Sequence, residues 1–132
     1  MAAGVTLFPC QLCDVGGTEK EGGKGHRLGA LLREAAAGRS DVRVQPIGCL
    51  GGCEKPCSVG VAAPGKCSYV YTGLQPDAAS VAALLEYAAQ YAAAPLGVVR
   101  QLERPPLLRN NVLVRIPPHE WVSETGVMKL PE

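Results

Sequence analysis

The sequence predicts an α/β fold with a mixed sheet of about four strands in the order β-α-β-β-β-α, followed by a C-terminal extension. Short apolar runs that end at proline or glycine are typical of strands. Two longer segments carry apolar residues at helical spacing. Two of the strand-like runs flank a Pro-Gly dipeptide, which indicates a tight turn. At 132 residues, the chain is long enough to bury a core of its own.

The first half of the chain predicts two strands joined by a helix. Residues 5–8 are apolar and stop at Pro9, and residues 42–47 alternate apolar with polar side chains. Between them, residues 26–38 have helical periodicity and end on Gly38, a residue type favoured after the last helical turn. Strands joined through a helix are expected to be parallel neighbours in one sheet.

The second half predicts a hairpin, a helix and an extension. Residues 59–63 and 68–71 flank the turn and predict antiparallel strands. Asp77 is expected to cap a helix that stops at Pro95. We therefore assign residues 1–95 to one domain and residues 96–132 to a Pro-rich extension that packs on the domain or on a partner. Residues 112–116 have the composition of a further strand at an edge.

Composition excludes several functional classes. Hydrophobic residues make up 47% of the chain and charged residues 19%, so the composition is that of a soluble globular protein. The formal net charge is +1 and basic residues do not cluster, which argues against a nucleic-acid partner. We find neither an apolar run long enough for a membrane span nor a signal peptide, so we expect a cytoplasmic protein with no membrane partner.

Cysteine is the residue type that carries chemical information. In a reducing compartment, a chain that can build a core uses cysteines for metal ligation or thiol chemistry more often than for disulfides. No catalytic triad order, phosphate-binding loop or paired-carboxylate motif is present, so we expect an electron carrier rather than an enzyme. The six cysteines are Cys10, Cys13, Cys49, Cys53, Cys57 and Cys67.

The Cys10-Gln-Leu-Cys13 motif is the first chemical element. Two thiolates at this spacing in a turn can reach one metal, and the same spacing also supports a redox dithiol. Redox dithiols depend on a helix N-terminus that lowers a thiol pKa. The residues after Cys13 are glycine-rich and begin with Asp14, so they do not resemble a helix start. Metal ligation is therefore the favoured interpretation, and the dithiol remains an alternative.

The second element is the run Cys49-Leu-Gly-Gly-Cys53-Glu-Lys-Pro-Cys57. Its glycines and proline disfavour a helix, and glycines between ligands let backbone N–H groups approach the sulfides of an iron–sulfur cluster. We predict Cys10, Cys13, Cys49 and Cys53 as the ligands, with Cys57 as the rival to one of them. Cys67 begins a strand and is expected to pack in the core. His26 could replace a ligand, although a surface position is the more common one for such a residue.

Parts of the chain resemble known families. Cys49 to Cys53, the hairpin, Tyr71-Thr-Gly73 and the helix start at Pro76-Asp77 resemble the C-terminal half of thioredoxin-like [2Fe–2S] ferredoxins. This resemblance covers roughly residues 5–95 and implies the thioredoxin-like fold, with Cys49 and Cys53 as two ligands of a [2Fe–2S] cluster. More narrowly, residues 48–65 and the tail from Arg104 to Pro118 resemble a bacterial family of predicted metal-binding proteins (DUF1636-like), often found near cobalamin-synthesis genes.

The ligand pattern departs from that of the ferredoxins in one respect. Their first two ligands are much farther apart in sequence than Cys10 and Cys13, so either Cys13 or Cys57 must complete the set. The resemblance implies an electron-transfer protein with a redox partner, which the gene neighbourhood suggests is an enzyme of the cobalamin pathway, and related ferredoxins suggest a homodimer. The alternatives are a zinc-binding or metal-delivery module and a dithiol oxidoreductase that uses Cys10 and Cys13.

Overall fold

The computed structural model describes residues 4–11, 23–48, 57–118 and 126. The predicted α/β class and the order β-α-β-β-β-α are confirmed, and the arrangement is consistent with a thioredoxin-like fold. The elements are β1 (Val5–Pro9), α1 (Lys24–Ala36), β2 (Val42–Val44), β3 (Val59–Ala62), β4 (Ser68–Tyr71), α2 (Ala78–Ala93) and β5 (Val112–Ile116). Two short 3-10 turns, Gln101–Glu103 and Pro106–Leu108, lie between α2 and β5.

The strands form one mixed sheet in the order β2-β1-β3-β4-β5. β1 and β2 are parallel, as expected for strands joined by a helix, and the other neighbouring pairs are antiparallel. The sheet has five strands where the sequence predicted about four. Among the described strands, the fifth, β5, pairs only with β4, so it is the edge strand that the composition of residues 112–116 allowed.

One face of the sheet carries the hydrophobic core. Successive side chains of a strand point to opposite faces, and the buried positions of β1 and β4 follow this alternation. Both helices contribute to the same core, and α1 also contacts α2. The fully buried core side chains include Leu7, Leu28, Leu32, Val59, Val61, Tyr71, Leu84, Tyr87 and Tyr91.

The predicted turn and helix cap are both present. Lys66 donates its backbone N–H to the carbonyl of Ala63 at 3.2 Å, and Gly65 has a φ of +73°. Proline followed by glycine with positive φ is the signature of a type II turn. The Asp77 carboxylate accepts a hydrogen bond from the N–H of Ser80 at 2.8 Å, which caps α2. No helix in the described ranges is long and apolar enough to span a membrane.

The segment after α2 packs against the core of the domain. Val99 is 6% exposed and Leu108 is fully buried, and both belong to the core cluster. The N–H of Cys67 donates to the carbonyl of Leu96, which ties the segment to the start of β4. Residues 96–116 therefore lead from α2 to the edge strand along the surface of the core.

Candidate metal centre

Three cysteine-bearing segments begin or end at the same end of the sheet. Cys10 follows β1 directly and donates its N–H to the carbonyl of Ser58 at 3.0 Å. On the other side of β1, the N–H of Gln11 donates to the carbonyl of Ile47 at 2.8 Å. Pairing of β1 with both neighbours therefore continues past Pro9. As a result, residues 10–11, 47–48 and 57–58 lie side by side.

The Cys10 thiol is buried beside the start of the second cysteine motif. Its side chain is 1% exposed. The sulfur Sγ lies 3.9 Å from the carbonyl oxygen of Gly48, within the range of a weak S–H donor. Gly48 is the residue that precedes Cys49 in the sequence. The structure therefore places the thiol of the first motif next to the backbone from which the second motif departs.

Cys57 has a different environment from Cys10. It exchanges two backbone hydrogen bonds with Leu74, at 3.1 and 3.2 Å, and so extends the pairing of β3 with β4. Its side chain is fully buried and belongs to the core cluster together with Val59 and Val61. Cys10 lies outside that cluster. It directly follows Pro9, which is buried, so the alternation of β1 directs the Cys10 side chain to the opposite face. The two thiols therefore lie toward opposite faces of the sheet.

His26 contacts the first cysteine motif from the start of α1. Its Nδ1 atom lies 2.9 Å from Oε1 of Gln11, and the ring donates this hydrogen bond when Nδ1 carries the proton. The imidazole is exposed. His26 therefore contacts the side chain of Gln11, one of the two residues between Cys10 and Cys13. The two residues are far apart in sequence, so their spacing carries no signal of this contact.

Cys67 lies away from this end of the sheet, in the hydrophobic core. It is fully buried, as the packing interpretation expects. Burial raises the pKa of its thiol, and the charge of Arg115 offsets part of this rise. A thiol with a raised pKa is a poor ligand and a poor nucleophile at neutral pH, because the thiolate is the reactive form.

The other predicted ligands, Cys13, Cys49 and Cys53, lie outside the described residues. Within residues 4–11, 23–48 and 57–118, no three Cys, His, Asp or Glu side chains come together as a metal site. Of the five candidate cysteines, the structure thus describes two, Cys10 and Cys57. It brings their backbones together at the sheet end but not their side chains.

Comparison with known proteins gives one match. The model of the family described as "Protein of unknown function (DUF1636)" matches residues 7–118, a range that includes all six cysteines and extends through β5. No curated protein and no solved structure matches the chain significantly.

Proposed function

The chain belongs to the DUF1636 family, and we propose that it is an electron-transfer protein. In this proposal it holds a [2Fe–2S] cluster at the end of the sheet where β1 terminates. The ligands in this proposal are Cys10, Cys13, Cys49 and Cys53. The cluster would supply reversible one-electron chemistry, and the protein would set its potential through hydrogen bonds and burial. The observation that carries the proposal is the position of Cys10 beside Gly48.

Chain connectivity supports the grouping of these four cysteines. Consecutive Cα atoms are about 3.8 Å apart. Cys49 directly follows Gly48 and Cys13 is the second residue after Gln11, so the backbones of both cysteines must lie near these two described residues. Gln11 and Ile47 are hydrogen-bonded to each other, and Cys10 contacts Gly48. Both motifs are therefore anchored at the same place in the fold. Four thiolates from the two cysteine motifs match the ligand number and type of a [2Fe–2S] cluster.

The environment of Cys57 supports its exclusion from the ligand set. Its side chain lies in the core on the helix-covered face, whereas Cys10 continues the opposite face of β1. A ligand shared with Cys10 would require the Cys57 thiol to leave that core. The pairing of Cys57 with Leu74 fixes its backbone and opposes such a movement.

The position of Cys10 also favours ligation over dithiol catalysis. A dithiol nucleophile must be reached by a substrate disulfide, but the Cys10 side chain is 1% exposed. Cys10 ends a strand, and α1, the first described helix after the motif, begins only at Lys24. A buried thiol at a strand end is better placed to hold a metal centre than to attack a substrate.

We also propose that a redox partner protein docks at this end of the sheet, since electron transfer requires a short distance to the cluster. An enzyme of the cobalamin pathway remains the predicted partner class, and a cytoplasmic location and a homodimer remain predictions of the sequence. None of these three predictions identifies a further residue of the metal centre.

Spectroscopy of anaerobically purified protein tests the proposal. We expect a red-brown protein whose visible absorption bleaches when a chemical reductant is added, with a paramagnetic signal in the reduced form only. Zinc and free-dithiol forms are colourless, so a colourless preparation that contains stoichiometric zinc would contradict the cluster and favour a zinc site.

A further inference from the structure

A positively charged groove lies along β4 and β5, the outer strands of the sheet, and β3 separates these strands from β1. It has a volume of about 530 Å³, within the range of small-molecule sites. Three arginines line it, and no Asp or Glu is among its described lining residues. The lining residues are Tyr69, Gln101, Arg104, Arg109, Asn110, Val112, Leu113, Val114 and Arg115.

Two of the arginines are held in place by backbone carbonyls. Arg104 donates from Nε to Val99 at 3.1 Å and from Nη1 to Leu108 at 3.3 Å. Its guanidinium carbon also lies 6.0 Å from the centre of the Tyr71 ring. Arg109 donates from Nε to the carbonyl of Arg104 at 3.2 Å. These contacts fix the two positive charges before any ligand arrives, which lowers the entropic cost of binding.

The arginines also keep donors that the described residues do not use. Nη2 of Arg104 and Nη1 of Arg109 make no hydrogen bond within the described part of the chain. The amide of Gln101 is turned to the carbonyl of Arg109 and to Oδ1 of Asn110. The acceptor on Asn110 is therefore already engaged, and the groove offers mainly donors.

Tyr69 gives a second and independent indication of a ligand. The residue is 2% exposed, and its hydroxyl lies near the Arg115 guanidinium but makes no hydrogen bond of good geometry with the described residues. A buried hydroxyl without a partner is costly, and such groups need an explanation. Burial raises the pKa of Tyr69, so at neutral pH the hydroxyl is protonated and able to donate. A side-chain contact with Arg115, and the positive charges of Arg115 and Arg104, offset part of that rise in the pKa.

We propose that this groove binds a small molecule through an oxyanion, either a phosphate or a pair of carboxylates. Arg104, Arg109 and Arg115 would pair with the negative charge, and the Tyr69 hydroxyl would donate a hydrogen bond to an oxygen. Guanidinium groups suit both classes, because their planar fork matches phosphate and carboxylate geometry. The exposed side chain of Leu113, two residues before Arg115 and therefore on the same face of β5, gives the carbon skeleton of the ligand an apolar surface beside the charges.

Ligand-dependent thermal stability tests the site in the full-length protein. A ligand that binds only the folded state raises the melting temperature as its concentration increases. We use inorganic phosphate and citrate as separate probes, with potassium chloride at matched ionic strength as the reference. The melting temperature should rise with at least one probe, and the effective probe identifies the oxyanion class. Equal melting curves in both probes and in chloride would overturn the proposal.

Two pairs of variants locate the effect. Tyr69→Phe removes only the hydroxyl and Arg115→Gln removes one charge, and each should weaken the apparent affinity about tenfold or more. Tyr87→Phe is the matched control, because its buried hydroxyl also lacks a partner among the described residues but does not line the groove. Arg43→Gln controls for loss of an exposed arginine elsewhere. A loss of affinity in the control variants equal to that in the groove variants would contradict the site.

A double variant distinguishes binding of an external ligand from binding of the chain's own carboxylates, because Glu120 and Glu124 follow β5 in the sequence. If the proposal is right, Glu120→Gln with Glu124→Gln should leave the response to the probe unchanged. A response that appears only in this double variant would mean that the chain itself fills the groove, and would overturn the proposal.

Discussion

The sulfur of Cys10 lies 3.9 Å from the carbonyl oxygen of Gly48, so the first cysteine of the chain contacts the residue that introduces the second cysteine motif. Parallel pairing of β1 with β2 produces this contact, because both strands run toward the same end of the sheet. Antiparallel β3 begins at that end, which adds Cys57 to the same neighbourhood. The topology of the sheet thus gathers cysteines that the sequence keeps far apart.

Removing the Cys10 thiol should abolish the metal centre without unfolding the domain. In Cys10→Ala we expect loss of visible absorption, because a thiolate ligand is removed and no other described thiol faces the same side of the sheet. Cys67→Ala is the matched control, since it also removes a buried thiol but should keep the colour. Absorption spectra and circular dichroism of both proteins measure this, and full colour in Cys10→Ala would remove it from the ligand set.

Replacing Cys57 should affect stability rather than the cluster. Its side chain is fully buried in the core, so Cys57→Ala should lower the free energy of unfolding by about 1 kcal/mol through lost packing. The absorption and paramagnetic spectra should stay close to those of the parent protein. The comparison is Cys13→Ala, which should lose the cluster. The reverse pattern, with colour kept in Cys13→Ala and lost in Cys57→Ala, would assign three ligands to the sequence run from Cys49 to Cys57.

The fold could largely be predicted from local sequence signals, whereas the site could be predicted only as a set of residues. Asp77 and the Pro64-Gly65 turn are recognisable because capping and turn geometry depend on neighbouring residues alone. The fifth strand carries a weaker local signal, because the prolines around residues 112–116 are typical of loops and pairing with β4 supplies the missing stabilisation. The contact of His26 with Gln11 depends on how α1 packs against β1, which no local pattern encodes.

The residues of the groove also could not be grouped from the sequence, because only the fold brings them together. Arg104, Arg109 and Arg115 are spread along a segment of mixed composition, and their spacing fits no motif. The fold places them together, because Arg115 pairs with Tyr69 across the β4–β5 register and two 3-10 turns position the others. The burial of the Tyr69 hydroxyl beside Arg115, without a well-formed hydrogen bond to the described residues, can be seen only in the structure.

Gly97 should tolerate substitution far less well than Gly38, although both have positive φ, at +75° and +83°. A Cβ at Gly97 would overlap the ring of Tyr91, whereas a Cβ at Gly38 would meet nothing within 4 Å. We expect Gly38→Ala to cost about 1 kcal/mol of stability and Gly97→Ala about 3 kcal/mol, as strain and overlap add. Urea unfolding measures both, and equal losses would contradict the predicted overlap.

The buried tyrosines should make the protein sensitive to alkaline pH. Burial raises the pKa of Tyr71 to about 12 and also raises the pKa of Tyr87 and Tyr91. Because these pKa values exceed the unfolded value of about 10, the folded state binds more protons between the two, and stability falls as pH rises through this range. The contribution of these tyrosines to stability should be complete below about pH 9 and should decline toward pH 12.

Tyr71→Phe provides the control for this pH dependence. The variant should lose less stability than the parent protein between pH 9 and pH 12, by about 2 kcal/mol, because one titrating group is removed. Urea unfolding across this pH range gives the slopes. A slope for Tyr71→Phe equal to that of the parent protein would mean that Tyr71 does not titrate with a raised pKa.

Quantification of iron, acid-labile sulfide and zinc in anaerobically purified full-length protein tests the central claim most directly. A [2Fe–2S] centre held by Cys10, Cys13, Cys49 and Cys53 predicts about two iron and about two sulfide per chain, with no stoichiometric zinc. Stoichiometric zinc without sulfide would contradict the electron-transfer function and would assign the cysteines to a structural or delivery site.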